Sequence, residues 1–452
     1  MTVRDILVFA FVFGSFPFCF TRPYYGLLIF SWLGYMRAQD LAWGVARYFR
    51  FSFYVAILML FGWLFYERRP FMRRDGRCYL LMVLAAWVFL SILAKRVDGT
   101  IYYTAPVMKK YVEFFKVIVI ALFTTGIVDS KKRLWILIGV IAASFGFYGV
   151  KGALWGALTG GRIIQGPGGM LKDNNDLCLA LNMNIPFLYY LAWSVNNQRW
   201  RTGLLASVVM TIGTIVLTTS RGGFVTLAAV SFFIVMKSRK KLLGCSIGAV
   251  AGIIFLLALP ADYVARLKTI KSPEQEASAR ARLDSWMTAL KMVRANPAFG
   301  VGFNNFRPVF AFYDVNPEGG IKSVSRVAHN SYLQLWAESG TPALFFFLVT
   351  IAYSYYRMGK LRRWNYRVHG PIWVTNFTQM IQLSLTAFVV GGTFLNRAHF
   401  DFLYHLIAIS VCLEVVAERE VAARKRGGPR EVKRGEVKVT IADPFLVARP
   451  VG

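Results

Sequence analysis

Apolar runs of near-spanning length recur along almost the whole chain, and this recurrence limits what it can fold into. They fall near 4–20, 24–36, 48–66, 78–94, 111–128, 132–157, 176–195, 203–219, 222–236, 241–259, 331–356, 372–394 and 399–417. In hydrocarbon, backbone N–H and C=O groups must bond within the protein, so such runs fold as packed helices. Of 452 residues, 56% are hydrophobic and only 17% charged, a charge content rare in a soluble chain of this length. The expected class is an all-α polytopic membrane protein: one membrane domain, one large extramembrane loop and a tail.

The net charge of +30 does not point to nucleic acid, because the basic residues gather in short loops between apolar runs and no RNA-binding or zinc-finger spacing occurs. Arg68, Arg69, Arg73, Arg74 and Arg77 mark one such loop, and Lys131, Lys132 and Arg133 the next. Arg199 with Arg201 follow, then Lys237, Arg239, Lys240 and Lys241, and finally Arg357, Lys360, Arg362, Arg363 and Arg367. Every second loop is basic, which places those loops in the cytoplasm. The outer loops are then 95–110, 158–175, the tight turn at Ser220-Arg221-Gly222, the long stretch 260–329, and Asn396-Arg397. Run 24–36 would span only about 20 Å against about 30 Å of hydrocarbon, and reads as re-entrant or interfacial. About twelve transmembrane helices remain, with both chain ends inside. The organisation expected is nine spans in 1–259, a periplasmic loop in 260–329, three spans in 330–417, and a basic, disordered cytoplasmic tail in 418–452. The N-terminal run ends in Cys-Phe-Thr-Arg-Pro rather than at a small-residue cleavage site, and reads as a retained span.

Cys19, Cys78, Cys178, Cys245 and Cys412 lie in or beside apolar runs at spacings that match no metal site or disulfide framework. They read as buried thiols. In the long loop, Leu283, Trp286, Met287, Leu290 and Val293 recur at helical spacing and predict an amphipathic helix over 279–294. Asn296-Pro297 should end it, and Gly300-Val301-Gly302-Phe303 should turn the chain. Its basic residues, among them Arg266, Lys268, Lys271, Arg307 and Lys322, outnumber the acidic ones and suit an anionic ligand.

Several side chains could carry chemistry at the outer face. Arg221, in Leu217-Thr-Thr-Ser-Arg-Gly-Gly-Phe224, sits between two bilayer-type runs, where an arginine is costly unless it is paired or faces a polar cavity. The plainer alternative is snorkelling to outer headgroups. The following glycines allow a tight turn and close approach of a ligand. His329 falls at the mouth of the span beginning near 331; its side chain has a pKa suited to general-base work near neutrality, or it simply opens the helix. Glu338 lies about two helical turns deeper on the same side, able to orient partners or to pair with a buried cation. Arg282 shares a helix face with Trp286, four residues on, and is otherwise a solvated surface arginine. The loop Gly160-Gly-Arg-Ile-Ile-Gln-Gly-Pro-Gly-Gly-Met-Leu-Lys-Asp-Asn-Asn-Asp176 offers Arg162, Lys172, Asp173, Asn174 and Asp176 to a polar site, or is a flexible connector. It lacks the context and ending of a nucleotide P-loop. Glu113 with Lys116 and Asp401 with His405 read as structural pairs. No Asp-x-Asp pair, His-Glu-x-x-His or Cys/His cluster suggests a metal, and no nucleotide motif occurs, so any reaction must run on an already activated substrate.

Ser220-Arg221-Gly222-Gly223, Arg282…Trp286 with Asn296-Pro297…Gly300-Val301-Gly302, and His329-Asn330-x-Tyr332-Leu333…Glu338-x-Gly340 occur in that order. In this the chain resembles the O-antigen ligase/polymerase family over about residues 20–415. Gly166-Pro-Gly-Gly-Met-Leu-Lys-Asp-Asn-Asn175 is similar to ligase-like members associated with exosortase systems. The resemblance implies a twelve-span inner-membrane protein with a large periplasmic loop between late spans. It implies transfer of a glycan from an undecaprenyl-pyrophosphate-linked donor to lipid A-core or a related acceptor, with no metal, ATP or other cofactor. By motif position, Arg221 and Arg282 should bind pyrophosphate and His329 should activate the acceptor hydroxyl. Arg162, Lys172, Asn174, Arg326, Tyr332 and Glu338 are further candidates for substrate contact. Membrane lipids are the other expected partners, and nucleic acid is not one. Rival readings are an O-antigen polymerase or a protein O-oligosaccharyltransferase, and, from another class, a polysaccharide or small-molecule transporter. A non-catalytic scaffold is a third.

Overall fold

The computed structural model describes residues 2–42, 44–97, 104–237, 273–314 and 326–426. Run 241–259, Cys245, basic residues 239–241, Arg266, Lys268, Lys271 and Lys322 lie outside them. Among the described residues the fold is helical apart from one short hairpin, as its apolar runs require. In order come α1 (Val3–Thr21), α2 (Pro23–Tyr35), α3 (Ala38–Leu41), α4 (Phe51–Tyr66), α5 (Gly76–Val97), α6 (Thr104–Ile127) and α7 (Lys131–Thr159). Strands β1 (Gln165–Gly168) and β2 (Leu171–Asp173) pair antiparallel. Then follow α8 (Asn174–Ala192), α9 (Gln198–Leu217), α10 (Arg221–Lys237), α11 (Pro273–Ala295), α12 (Phe306–Tyr313), α13 (Ser331–Arg367), α14 (Ile372–Gly391) and α15 (Asp401–Arg426). Six described helices are long and apolar enough to cross a membrane: Val3–Thr21, Gly76–Arg96, Lys131–Thr159, Gln198–Leu217, Ser331–Arg367 and Ile372–Phe394. This is a multi-pass membrane protein.

Helices α8 and α14 form the centre, with nearly every side chain of both buried. Around them, close packing depends on small residues. On α7, Gly149, Gly152 and Gly156 face Thr211, Thr214 and Leu217 of α9, and a Cβ at Gly149 would lie 2.1 Å from Thr211 Oγ1. The Thr214 hydroxyl donates to the Gly149 carbonyl at 2.5 Å, so the glycine stripe also exposes an acceptor to the neighbouring helix. Segment 24–36 forms α2, thirteen residues packed between α1 and α4.

Helix α13 is two helices joined at Gly340 (φ 80°, ψ 177°), with Pro342 just beyond. The loop segment after α11 crosses this kink. The Thr341 N–H donates to the Pro297 carbonyl and the Val301 N–H to the Ala337 carbonyl, both at 2.8 Å. Trp87 of α5 stacks on Phe299 and donates to the Ser339 carbonyl at 3.1 Å.

Some expectations need correction. The 160–176 loop is not a connector without structure: its centre is the β1–β2 hairpin. Helix α11 ends at Ala295 as Asn296-Pro297 predicts, and Gly300 and Gly302 take positive φ. Its buried face, however, is Ser285, Thr288, Ala289, Met292 and Val293, while Leu283 and Met287 are about half exposed. Small side chains let α11 approach α13 more closely than leucines would. Glu113 pairs with Lys110 at 2.8 Å rather than Lys116, which lies over the Phe53 ring. His405 bonds Tyr35 and Thr124, not Asp401. Residues 418–426, expected in a disordered tail, continue α15 as helix. The four described cysteines are buried and free.

Candidate active site

Where α8 and α10 begin and α14 ends, the chain encloses a cavity of about 410 Å³. Arg162, Arg221 and Arg282 line it together with Asn174, Asn175, Thr219 and Ser220; its apolar wall includes Phe394 and Leu395. No carboxylate lines it among the described residues. Three guanidinium groups from three distant parts of the sequence therefore converge on one pocket, which suits a doubly charged oxyanion such as pyrophosphate.

Arg221 is the first residue of α10. The Ser220 hydroxyl accepts from the Gly223 N–H at 3.1 Å and caps the helix. The reversal comes one position earlier than the sequence suggests: Thr219, not a glycine, takes the left-handed conformation (φ 52°). Gly222 and Gly223 instead permit contact. A Cβ on Gly223 would fall 2.1 Å from Cys178 Sγ of α8, and one on Gly222 would fall 2.7 Å from Phe394 Cβ. This close approach sets Arg221 at the junction of α8, α10 and the 392–397 corner. Arg162 reaches the same turn, its Nε donating to the Thr219 hydroxyl. Asn174 Nδ2 donates to the Thr218 carbonyl at 2.9 Å.

Arg282 reaches the cavity from α11. One turn on, Trp286 Nε1 donates to the Ala328 carbonyl at 2.9 Å, fastening the residue before His329 to the loop helix. His329 itself adopts φ 48°, a conformation that costs a non-glycine residue about 1–2 kcal/mol. The next residue compensates: Asn330 Oδ1 accepts from the Tyr332 and Leu333 N–H groups at 3.0 and 3.1 Å, capping α13. The His329 ring does not line the cavity and stays open to solvent, but it lies within electrostatic range of Arg282. Partial burial and the charges of Arg282 and Arg307 hold the imidazole below its ordinary 6.5, against an opposing pull from Asp173.

The remaining candidates stand elsewhere. Lys172 on β2 and Arg326 are exposed and outside the cavity lining. Tyr332 donates to the Val389 carbonyl at 2.8 Å, tying α13 to α14. Glu338 is buried, and its Oε1 accepts from the Phe306 N–H at 3.3 Å and Gln334 Nε2 at 3.0 Å, anchoring α12.

Sequence reasoning missed the ion pair between Asp176 and Arg397, which ties the start of α8 to the 392–397 corner. Arg397 grips both carboxylate oxygens of buried Asp176 in the first turn of α8. Its N–H donates to the Ser331 hydroxyl at 2.8 Å, and the Asn330 N–H donates to Asn396 Oδ1 at 3.2 Å. The corner thus joins the asparagine end of α8 to the histidine end of α13. Both partners stood in outer loops, but nothing local signals a pair 221 positions apart.

Residues 3–191 match a family of unknown function (DUF5935), and no curated protein matches the chain. Residues 206–348, which carry Arg221, Arg282 and His329, match the family described as O-antigen ligase. The ordered motifs and this match agree: over residues 206–348 the chain is similar to the O-antigen ligase family.

Proposed function

We propose that the protein transfers a glycan from a lipid pyrophosphate, undecaprenyl pyrophosphate by family resemblance, to a hydroxyl of lipid A-core or a similar acceptor at the periplasmic face of a bacterial inner membrane. The observation that carries this reading is the convergence of Arg162, Arg221 and Arg282 on one cavity whose lining, among the described residues, holds no carboxylate. As the bond between the anomeric carbon and the pyrophosphate oxygen breaks, negative charge grows on the leaving group. Guanidinium groups already directed at the pocket stabilise that charge as it develops. His329, held neutral near pH 7, takes the acceptor proton as the hydroxyl oxygen attacks the anomeric carbon. Such a base contributes about 10²–10⁴-fold. The lipid pyrophosphate leaves with the bonding electrons, and a single displacement inverts the anomeric centre. Among the described residues the cavity offers no carboxylate nucleophile for a double displacement. A transporter would spread polar groups through its midplane, whereas these cations gather at one end of α8 and α10.

Reconstitution with purified protein, lipid-linked donor and defined acceptor tests the reading. Product should form without ATP and in the presence of chelator; chelator inhibition reversed by added metal would contradict it. Lipopolysaccharide from a deletion strain separates the acceptors. Loss of the long ladder with intact lipid-linked donor is expected of a ligase, and lipopolysaccharide carrying one repeat would indicate a polymerase.

A further inference from the structure

The helices that begin or end at the cavity carry a second cationic junction at their other ends. Along α10, Lys237 is sixteen residues from Arg221, about 24 Å away at helical rise. Arg362 of α13 acts electrostatically on the Lys237 ammonium and on the Tyr190 hydroxyl of α8. Tyr190 is 0% exposed, and among the described residues its hydroxyl has no hydrogen-bond partner; the buried Lys237 Nζ has none there either. Among the described residues Arg362 itself bonds a neutral amide oxygen, Gln382 Oε1, at 3.2 Å.

Some half-buried arginines at this end are neutralised, whereas Arg73 and Arg201 bond backbone carbonyls. Arg77 and Arg357 share Glu414, and Arg69 holds Glu67 and Asp129. A buried ammonium and a buried hydroxyl without a partner among the described residues are costly. An anion accepting from both, and from Arg362, would remove that cost. Beside the junction, a groove of about 700 Å³ between α13 and α14 is lined by Leu348, Ile351, Tyr355, Leu385 and Val389, and ends at Arg362 and Arg363. A soluble anion has no use for an apolar groove, but an acyl chain fills it. We propose that this junction binds the phosphate of an anionic phospholipid, with an acyl chain in the α13–α14 groove, in the leaflet opposite the cavity. The neighbouring basic residues Arg199, Arg201 and Arg367 mark that leaflet as the inner one.

The test does not use transfer activity. Full-length protein in neutral detergent is titrated with phosphatidylglycerol, phosphatidylcholine or inorganic phosphate, and bound ligand is counted by native mass spectrometry. Phosphatidylglycerol should bind saturably and in preference to phosphatidylcholine. Arg362→Gln and Lys237→Gln should each weaken it by about tenfold or more, the loss expected of one charged hydrogen bond. Tyr190→Phe keeps the ring's packing and should weaken it several-fold; this variant still reports if the charge variants fail to fold. Equal binding of phosphatidylcholine, inorganic phosphate holding the junction as tightly as the lipid, or undiminished lipid binding by the folded variants would each overturn the proposal.

Discussion

His329 combines a left-handed backbone (φ 48°) with a side chain within electrostatic range of Arg282. The conformation turns the chain immediately before the Asn330 cap, so the imidazole projects from the mouth of α13 instead of continuing the helix. Burial first, then Arg282, favours the neutral ring and lowers its pKa below 6.5. The base form is therefore present at neutral pH and is lost only as the medium becomes acidic. A profile of kcat/KM against pH should show an acid limb below 6.5, absent from the residual activity of His329→Ala. That variant should lose about 10²–10⁴-fold in transfer while inserting normally in the membrane; wild-type transfer by it would remove His329 as the base. Arg282→Gln removes a positive neighbour, so any remaining activity should show its acid limb moved to higher pH. At Arg221 the guanidinium's fork should matter as well as its charge. Arg221→Ala should abolish transfer and Arg221→Lys should restore only part of it, measured on protein of equal membrane abundance.

Among the elements, α11 matters most, because it brings one cavity arginine and one hydrogen bond to the histidine turn. Its existence, its end at Asn296-Pro297 and the turn at Gly300 and Gly302 were legible from periodicity and helix-stop residues. Its buried face was not, because Ser285, Thr288 and Ala289 pack by being small, a property that hydrophobic periodicity does not register. The bond from Trp286 to the Ala328 carbonyl was equally silent. Trp286→Phe keeps an aromatic ring and deletes that bond, so the protein should fold but turn over more slowly; unchanged kcat would show that α11 does not position the histidine. The kink of α13 is stricter. A Cβ at Gly340 would lie 1.9 Å from the Ala298 carbonyl oxygen, at a φ of 80° that side chains rarely adopt. Gly340→Ala must displace backbone, and should cost about 1–3 kcal/mol in stability and release the 296–303 crossing, seen as new protease cleavage within the loop.

At the scale of the whole molecule, the chain's class was legible because hydrocarbon leaves a backbone few solutions. The long-range pairings were not legible, because ion pairs such as Asp176–Arg397 and Arg77–Glu414 depend on which helices become neighbours, and apolar runs carry no such address. Those pairings distinguish the two ends of the bundle. At the cavity end three arginines line a pocket with no carboxylate among the described residues and Arg397 is tied to Asp176; at the other end Arg69, Arg77 and Arg357 are tied to carboxylates. Asp75 bonds Arg77 at 2.8 Å, and Arg77 in turn holds Glu414 of α15. Asp129 bonds Arg69 at 2.9 Å and Arg419 at 3.1 Å. Burial alone would raise the pKa of both aspartates, but their arginine partners outweigh it and hold each below 3.8. The sign follows from linkage: a carboxylate with a depressed folded-state pKa contributes stability that is complete above its unfolded value and is lost as pH falls through the folded one. The melting temperature of the purified protein should therefore vary little from these groups between about pH 8 and pH 5 and fall below about pH 4. Asp129→Asn should melt lower than wild type at neutral pH yet lose less on acidification, since it has no proton to take up. An acid slope as steep in Asp129→Asn and Asp75→Asn as in wild type would mean that these clasps do not hold the basic end together.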